Sequence, residues 1–161
     1  MLNILVICTG NSCRSIISEA LFNKMGNDRI KAFSAGSQPL GRLNTGAIAL
    51  LQRHGLATEG LASKSWDAFE NQPIDVVITV CDNAAGEICP AYLRSIPKVH
   101  WGLSDPGHVK GTDDEVKAAF EVTYHAVERR IKKMLELPLE AMSSEALSNE
   151  LNAIGNIDNA N

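Results

Sequence analysis

Apolar residues along this chain follow two alternating patterns, and both occur within the first 26 positions. Leu2–Ile7 is a short run rich in branched apolar residues, which is typical of a strand buried on both faces. From Ser15 to Met25 the apolar residues fall on one face of a helix, and Gly26 follows as a stop signal. The chain is therefore predicted to open with a strand, a polar loop and a helix.

The same alternation continues to about residue 137. Further strands are predicted at Lys31–Ala35, Ile74–Val80 and Lys98–Trp101, and further helices at 45–54, 65–70 and about 113–137. Asn44 can cap the first of these helices, and Thr112 begins a Thr-Asp-Asp-Glu sequence of the capping-box form. Strands that alternate with helices predict an α/β fold, with an open parallel sheet and helices on both faces.

One domain accounts for most of the 161 residues, because domains commonly contain ~100–150. We assign residues 1–137 to this domain and residues 138–161 to a C-terminal extension. Within the extension, Ser144–Ile154 is weakly amphipathic. This pattern predicts a marginal helix followed by a frayed tail.

The charge balance excludes several function classes. The chain carries 15 basic and 19 acidic residues, a formal net charge of −4, which argues against general binding of nucleic acids or anionic membranes. No apolar run is long enough to predict a membrane span. No signal peptide is predicted either, because the start of the chain lacks a basic segment and becomes polar at Thr9. We expect a cytoplasmic protein that acts as a monomer. Its four cysteines should be reduced and available for catalysis, redox exchange or metal binding.

The segment between the first strand and the first helix has the form Cys-x5-Arg. In an open parallel sheet, ligands bind at the carboxyl ends of strands, and the free N–H groups at the start of a helix attract anions. Cys8 is predicted to be a nucleophile with a lowered pKa, and Arg14 to bind two oxygens of a tetrahedral oxyanion. The predicted substrate-binding residues are Thr9, Gly10, Asn11, Ser12, Cys13 and Ser15, of which Ser15 could also donate a hydrogen bond to the Cys8 sulfur. The alternative is a buried structural cysteine beside an ordinary turn.

Asp105 follows the fourth predicted strand and therefore lies at the same edge of the sheet. A carboxyl group there could act as a general acid and protonate a leaving oxygen. The alternative is an Asp-Pro turn that takes no part in chemistry.

Two cysteines flank the segment after the third predicted strand. Cys81 ends that strand, and the seven residues Asp82–Ile88 separate it from Cys89. A flexible loop could bring both thiols to Cys8, which suits a relay in which each new disulfide is attacked by the next thiolate. The alternatives are inert reduced thiols and a zinc site. The spacing is longer than that of a zinc knuckle, so no metal site is predicted.

The histidines carry weaker signals. His54 and His125 lie on predicted helices and are interpreted as structural or solvated. His100 is interpreted as a packing residue at the end of a strand, and His108 could approach the site from the loop beyond Asp105.

With these motifs the chain resembles the low-molecular-weight protein tyrosine phosphatase superfamily, and within it the arsenate reductases of that fold. The resemblance covers about residues 1–137. It rests on Cys8–Ser15, Ser34–Gly36, the Cys81 to Pro90 segment, and His100–Gly102 followed by Asp105 and Pro106. It implies a four-stranded parallel sheet in the order 2-1-3-4, in a three-layer α/β/α arrangement.

The resemblance implies thiol-dependent reduction of arsenate to arsenite, without a bound cofactor. Cys8 would attack arsenate, Arg14 and the loop amides would hold its oxygens, and Asp105 would protonate the departing oxygen. Cys81 best matches the cysteine that then attacks Cys8 and releases arsenite, and Cys89 would carry the disulfide outward to thioredoxin. The seven-residue gap leaves the order of Cys81 and Cys89 open. A cycle linked to glutathione or glutaredoxin would need only one of them.

Two other functions are compatible with these residues. A tyrosine phosphatase that hydrolyses phosphomonoesters through a phosphocysteine would use Cys8, Arg14 and Asp105 but no loop cysteines. Phosphatases of this fold usually place aromatic residues after the Asp-Pro pair to stack on tyrosine, where this chain has Gly107 and His108. A non-catalytic oxyanion-binding or redox-sensing module would bind the anion without turnover.

Overall fold

A four-stranded parallel sheet forms the centre of the fold. A computed structural model describes residues 1–157, and its strands are β1 Leu2–Ile7, β2 Ile30–Ala35, β3 Val76–Thr79 and β4 Lys98–His100. The strands are hydrogen-bonded in the order β2-β1-β3-β4 and all pairs are parallel. The predicted sheet order 2-1-3-4 is therefore confirmed. Because β1 has a neighbour on each side, its residues Ile4, Leu5 and Val6 are fully buried, as the apolar run predicted.

In the described residues 1–157, five helices connect and cover the strands. They are α1 Arg14–Gly26, α2 Thr45–Arg53, α3 Asp82–Ala85, α4 Asp113–Leu135 and α5 Ser144–Gly155, and short 3-10 turns lie at Trp66–Phe69, Ala91–Leu93, Pro106–His108 and Leu139–Ala141. The Asn44 side chain caps α2 by accepting from the Ala47 N–H at 3.0 Å. Thr112 and Glu115 form the predicted capping box of α4. Within residues 1–157, no helix has both the length and the apolar composition needed to cross a membrane.

The segment after β3 corrects one prediction. Asp82–Ile88 is predicted to be a flexible loop, but its first four residues form the single helical turn α3. The sulfur of Cys81 caps this turn by accepting the Ala84 N–H at 3.4 Å, as a serine or aspartate oxygen does at an ordinary N-cap. Cys81 is thus held in place by α3, the helical turn that directly follows it.

The C-terminal helix is packed more firmly than its weak pattern indicates. Its residues Leu147, Leu151 and Ile154 are buried, and the indole N–H of Trp101 donates to the Leu151 carbonyl at 2.8 Å. A side chain at Gly155 would place its Cβ only 2.5 Å from the His100 carbonyl oxygen. α5 therefore closes over the end of β4, while the end of the predicted frayed tail, residues 158–161, lies outside the described residues.

Candidate active site

The predicted site residues converge at the carboxyl edge of the sheet. Cys8 directly follows β1, Cys81 follows β3, and Asp105 lies five residues after β4. Arg14 is the first residue of α1, so the positive end of the helix dipole faces the loop that joins Cys8 to Arg14. This arrangement suits an anion because parallel strands bring all their carboxyl ends to one place.

The backbone of the loop from Thr9 to Arg14 is shaped to present amide groups inward. Three of its carbonyl oxygens point to neighbouring segments: those of Thr9, Gly10 and Ser12 accept the N–H groups of Gln38, Leu40 and Asn44 at 3.0, 3.0 and 2.9 Å. In a trans peptide the N–H points opposite to the carbonyl. The amides of Gly10 and Cys13 therefore point away from those segments, Gly10 donates to the Cys8 sulfur, and the Asn11 N–H donates to the Cys8 carbonyl at 3.2 Å.

Asn11 holds the loop in this shape. Its φ is 44°, in the left-handed region that asparagine tolerates better than most residues. Its buried side-chain amide donates to the hydroxyls of Ser15 at 2.8 Å and Ser34 at 3.0 Å, and its carbonyl accepts the Lys64 N–H at 2.7 Å. Ser15 thus accepts from Asn11, whereas its predicted bond to Cys8 is not among those made in residues 1–157. Asn11 fixes the backbone that would surround a ligand.

Arg14 is anchored at the mouth of the loop. Its Nη1 donates to the Leu103 carbonyl at 3.0 Å, and its Nη2 lies 3.5 Å from Asp105 Oδ2. Its Nε is buried and has no hydrogen-bond partner among residues 1–157. A buried polar group without a partner is costly, so this N–H is a donor that an oxyanion in the loop would satisfy.

Asp105 and Cys13 lie beside Arg14 at the rim of the loop. One carboxylate oxygen of Asp105 accepts the Gly107 N–H at 2.9 Å, and the other lies 3.4 Å from His108 Nδ1. His108 therefore does approach the site, as an exposed residue. Burial, reinforced by the nearby charge of Asp105, raises the pKa of Cys13 to about 12 despite Arg14. Cys13 is accordingly a protonated thiol at neutral pH.

The thiols of Cys8 and Cys81 are neighbours, although the residues are far apart in sequence: the Thr9 N–H donates to the Cys81 sulfur at 3.5 Å, and each thiol shifts the pKa of the other. The interaction with Cys8 is the largest cause that lowers the pKa of Cys81 to about 5. Two backbone donors point at the same sulfur, the N–H groups of Thr9 at 3.5 Å and Ala84 at 3.4 Å, and the Thr9 hydroxyl lies 3.7 Å away with its proton directed to Glu87. Together with Cys8, these groups lower the pKa of Cys81 despite its burial.

This contact corrects the predicted pKa of Cys8. The pKa of Cys8 is raised above its ordinary value by its interaction with Cys81 and by burial, and the nearby Arg14 charge only partly offsets these effects. The prediction considered the loop alone, in which Arg14 and the helix dipole favour a thiolate. At rest the negative charge lies instead on the second thiol of the pair.

Cys89 does not lie with the other two thiols in this structure. It is a half-buried free thiol four residues beyond the end of α3, and its backbone carbonyl accepts from Arg94 Nε at 3.4 Å. The groups that lower the pKa of Cys81 come from Cys8, Thr9 and Ala84. The structure thus brings Cys8, Cys81, Arg14 and Asp105 together and leaves Cys89 outside the cluster.

Glu87 makes hydrogen bonds at the site that the sequence analysis did not predict. One of its carboxylate oxygens accepts the Thr9 hydroxyl at 2.8 Å, and the other accepts the Ser37 hydroxyl. Asn83 adds a 3.1 Å hydrogen bond to the same Thr9 hydroxyl. These bonds tie the segment between Cys81 and Cys89 to the anion-binding loop. The only signal in the sequence was that Glu87 is one of two acidic residues, with Asp82, between the two loop cysteines.

His100 also has a more specific role than packing. Its Nδ1 lies 2.8 Å from the Thr79 hydroxyl, and its Nε2 lies 2.9 Å from Asp82 Oδ1. Asp82 is the first residue of α3, immediately after Cys81. His100 therefore supports the turn that positions the Cys81 sulfur, while Trp101 provides the packing that the sequence predicted.

Comparison with known proteins supports this assignment of the fold and identifies the family. Residues 3–150 match the family described as low molecular weight phosphotyrosine protein phosphatase. An arsenate reductase of Halalkalibacterium halodurans is 35% identical over 130 residues, which are 81% of this chain and 92% of that protein. An arsenate reductase of Bacillus subtilis is 32% identical over 130 residues, with the same coverage.

The solved structures agree. An arsenate reductase in the phosphate binding state has a TM-score of 0.65 and 25% identity, and the match covers 83% of this chain and 98% of that one. The thioredoxin-dependent arsenate reductase of Corynebacterium glutamicum shares the fold with a TM-score of 0.63 at 22% identity, over 85% of this chain and 64% of that one. The chain therefore belongs to the low molecular weight phosphotyrosine protein phosphatase family, alongside its arsenate reductase relatives.

Proposed function

We propose that this chain reduces arsenate to arsenite through a relay of the three thiols Cys8, Cys81 and Cys89. The observation that carries the proposal is the position of the Cys81 sulfur, 3.5 Å from the Thr9 N–H and next to Cys8 at the start of the Cys-x5-Arg loop. A phosphatase needs one nucleophilic thiol, whereas a reductase must form a disulfide. Two thiols already in contact, one of them ionised, suit the second reaction.

Arsenate would enter the loop with its oxygens on the inward amides and on the free Nε of Arg14. The Cys8 sulfur then forms a bond to arsenic as one oxygen leaves as water, and the Cys8 proton ends on that water. Asp105, at the rim beside Arg14, is placed to pass the proton to the leaving oxygen. The product of this step is a Cys8–arsenate thioester in which arsenic is still pentavalent.

Reduction takes place when the second thiol attacks the first. The Cys81 thiolate forms a bond to the Cys8 sulfur, the sulfur–arsenic bond breaks, and its electron pair stays on arsenic, which leaves as trivalent arsenite. Cys8 and Cys81 are thereby oxidised to a disulfide. The low pKa of Cys81 favours this step because the thiolate is the attacking form.

Cys89 would then attack Cys81 and set Cys8 free for the next cycle. This step requires the Glu87 contacts with Thr9 and Ser37 to open, because they hold the segment that carries Cys89. The new Cys81–Cys89 disulfide would lie nearer the surface, where thioredoxin, or glutathione with glutaredoxin, can reduce it. The cycle uses no bound cofactor, proceeds within one monomer and needs a compartment that keeps thiols reduced, such as the cytoplasm.

Hydrolysis of phosphomonoesters is the second candidate, favoured by the family match and by the shared Cys8, Arg14 and Asp105. Against it, the two residues after the Asp-Pro pair are Gly107 and His108, whereas phosphatases of this fold usually carry there the aromatic residues that stack on tyrosine. We therefore assign it the role of a slow side reaction of the same loop.

Arsenate-dependent oxidation of NADPH tests the proposal, with thioredoxin and its reductase in one arm and glutathione, glutaredoxin and glutathione reductase in the other. The wild-type chain should turn over in at least one arm. Cys81→Ser should abolish turnover but keep hydrolysis of p-nitrophenyl phosphate, which serves as the internal control for an intact loop. If the Cys81→Ser/Cys89→Ser double variant reduces arsenate normally, the relay is wrong, and full phosphatase activity would then favour the second candidate.

A further inference from the structure

Three possible metal ligands meet on the surface formed by α2 and α4. His54 follows the last residue of α2, and Glu121 and His125 lie one turn apart on α4. One donor atom from each lies within 4.8 Å of the other two. The sequence analysis interpreted both histidines as structural or solvated, and the proposed relay uses none of the three residues.

The distances between these donor atoms fit a tetrahedral ion. Oε2 of Glu121 lies 2.8 Å from His54 Nε2 and 3.5 Å from His125 Nε2. In a tetrahedral zinc site with bonds of ~2.0–2.1 Å, neighbouring ligand atoms are ~3.3 Å apart. The two measured distances lie on either side of this value, so small side-chain rotations would complete the site.

Each of the three side chains also contacts a neighbouring group that fixes its orientation. His125 presents Nδ1 to Glu128 Oε1 at 3.2 Å, which leaves Nε2 free to face the cluster. Arg53 binds Oε1 of Glu121 at 3.4 Å, which leaves Oε2 facing the two imidazoles. The His54 ring stacks on Tyr124, with the ring centroids 3.8 Å apart. A carboxylate behind a ligating histidine is the usual outer support of a zinc site.

We propose that His54, Glu121 and His125 bind a divalent transition-metal ion, with zinc as the preferred ion, and that the ion joins the end of α2 to α4. Two imidazoles and one carboxylate are a donor set that zinc accepts, with water in the fourth position. The site is distinct from the anion-binding loop.

Calorimetric titration with Zn²⁺ tests this assignment, in the wild-type chain and in the Cys8→Ser/Cys81→Ser/Cys89→Ser variant, in which the relay thiols cannot bind the metal. We expect one ion to bind in the triple variant. In that background, His125→Gln should weaken binding at least tenfold, and Glu128→Gln about 10–100-fold through loss of the outer support. Glu136→Gln, an exposed carboxylate near the end of α4, is the matched control and should leave the affinity unchanged.

Thermal unfolding and Co²⁺ absorption give readouts other than arsenate turnover. Zn²⁺ should raise the Tm of the wild-type chain and have little effect on His125→Gln, whose half-exposed side chain can be replaced without unfolding the protein. The Co²⁺ spectrum of the triple variant should show ligand-field bands of a nitrogen- and oxygen-bound ion. Absence of Zn²⁺ binding in the triple variant, or affinity unaffected by both His54→Gln and His125→Gln, would overturn the proposal.

Discussion

Replacing Cys8 by alanine removes the neighbouring thiol that contributes most to the low pKa of Cys81, and this change should raise the pKa of Cys81 from about 5. At pH 7 a thiol with that pKa is ~99% ionised, whereas an ordinary cysteine near 8.5 is ~3% ionised. A hydrogen bond to an ionised group contributes ~1.5–3 kcal/mol, which corresponds to ~1–2 pH units. The pKa of Cys81 in the Cys8→Ala variant should therefore lie near ~6–7, because the donors Thr9 and Ala84 are still present.

Ultraviolet absorbance of the thiolate, followed as a function of pH, measures this shift directly. Both proteins should carry Cys89→Ser, so that Cys81 gives the low-pH titration, and the raised pKa of Cys13, about 12, keeps that residue out of the range. The Cys89→Ser single variant is the reference and should show one thiolate that forms near pH 5. If the midpoint is the same with and without Cys8, or if no thiolate forms below pH 7, the coupling between Cys8 and Cys81 is refuted.

Three further changes probe the rest of the account. Arg14→Lys keeps the charge but loses the fork, so kcat/KM for arsenate should fall at least ~100-fold, or ~2.7 kcal/mol; unchanged kinetics would place Arg14 outside the oxyanion site. Glu87→Gln should accelerate hydrogen exchange of the amides at 86–89 at least ~10-fold, because it weakens the bonds to Thr9 and Ser37. Equal exchange rates in the variant and the wild-type chain would show that these two bonds do not hold the segment. Leu151→Ala should lower the free energy of unfolding in urea by ~2–5 kcal/mol, whereas the control Val122→Ala, at an exposed position, should change it by under ~0.5 kcal/mol. Equal losses of stability in the two variants would mean that α5 is not packed against the rest of the fold.

The fold could be predicted largely because its signals are local. The apolar run of β1, the cap at Asn44 and the capping box at Thr112 each depend on residues close together in the chain, and each was found in the structure. The weak amphipathic pattern of α5 did not indicate how firmly this helix packs, because its packing depends on Trp101, which lies about 50 residues away.

The chemistry of the site could be predicted only in part, for the same physical reason. The Cys-x5-Arg spacing predicted an anion-binding loop, but the pKa of Cys8 depends on a sulfur 73 positions later in the sequence. The Glu87 contacts and the group formed by His54, Glu121 and His125 likewise join distant segments, so no local spacing reveals them.

The most direct test of the central claim is mass spectrometry of the Cys89→Ser variant after a single turnover with arsenate. Without Cys89 the relay should stop at its first disulfide, so the account predicts one arsenite released per chain and a peptide pair that links Cys8 to Cys81. The same treatment of Cys81→Ser/Cys89→Ser should give no Cys8 disulfide within the chain and no arsenite. Release of arsenite from the Cys89→Ser variant with Cys8 and Cys81 both still reduced would contradict the thiol relay.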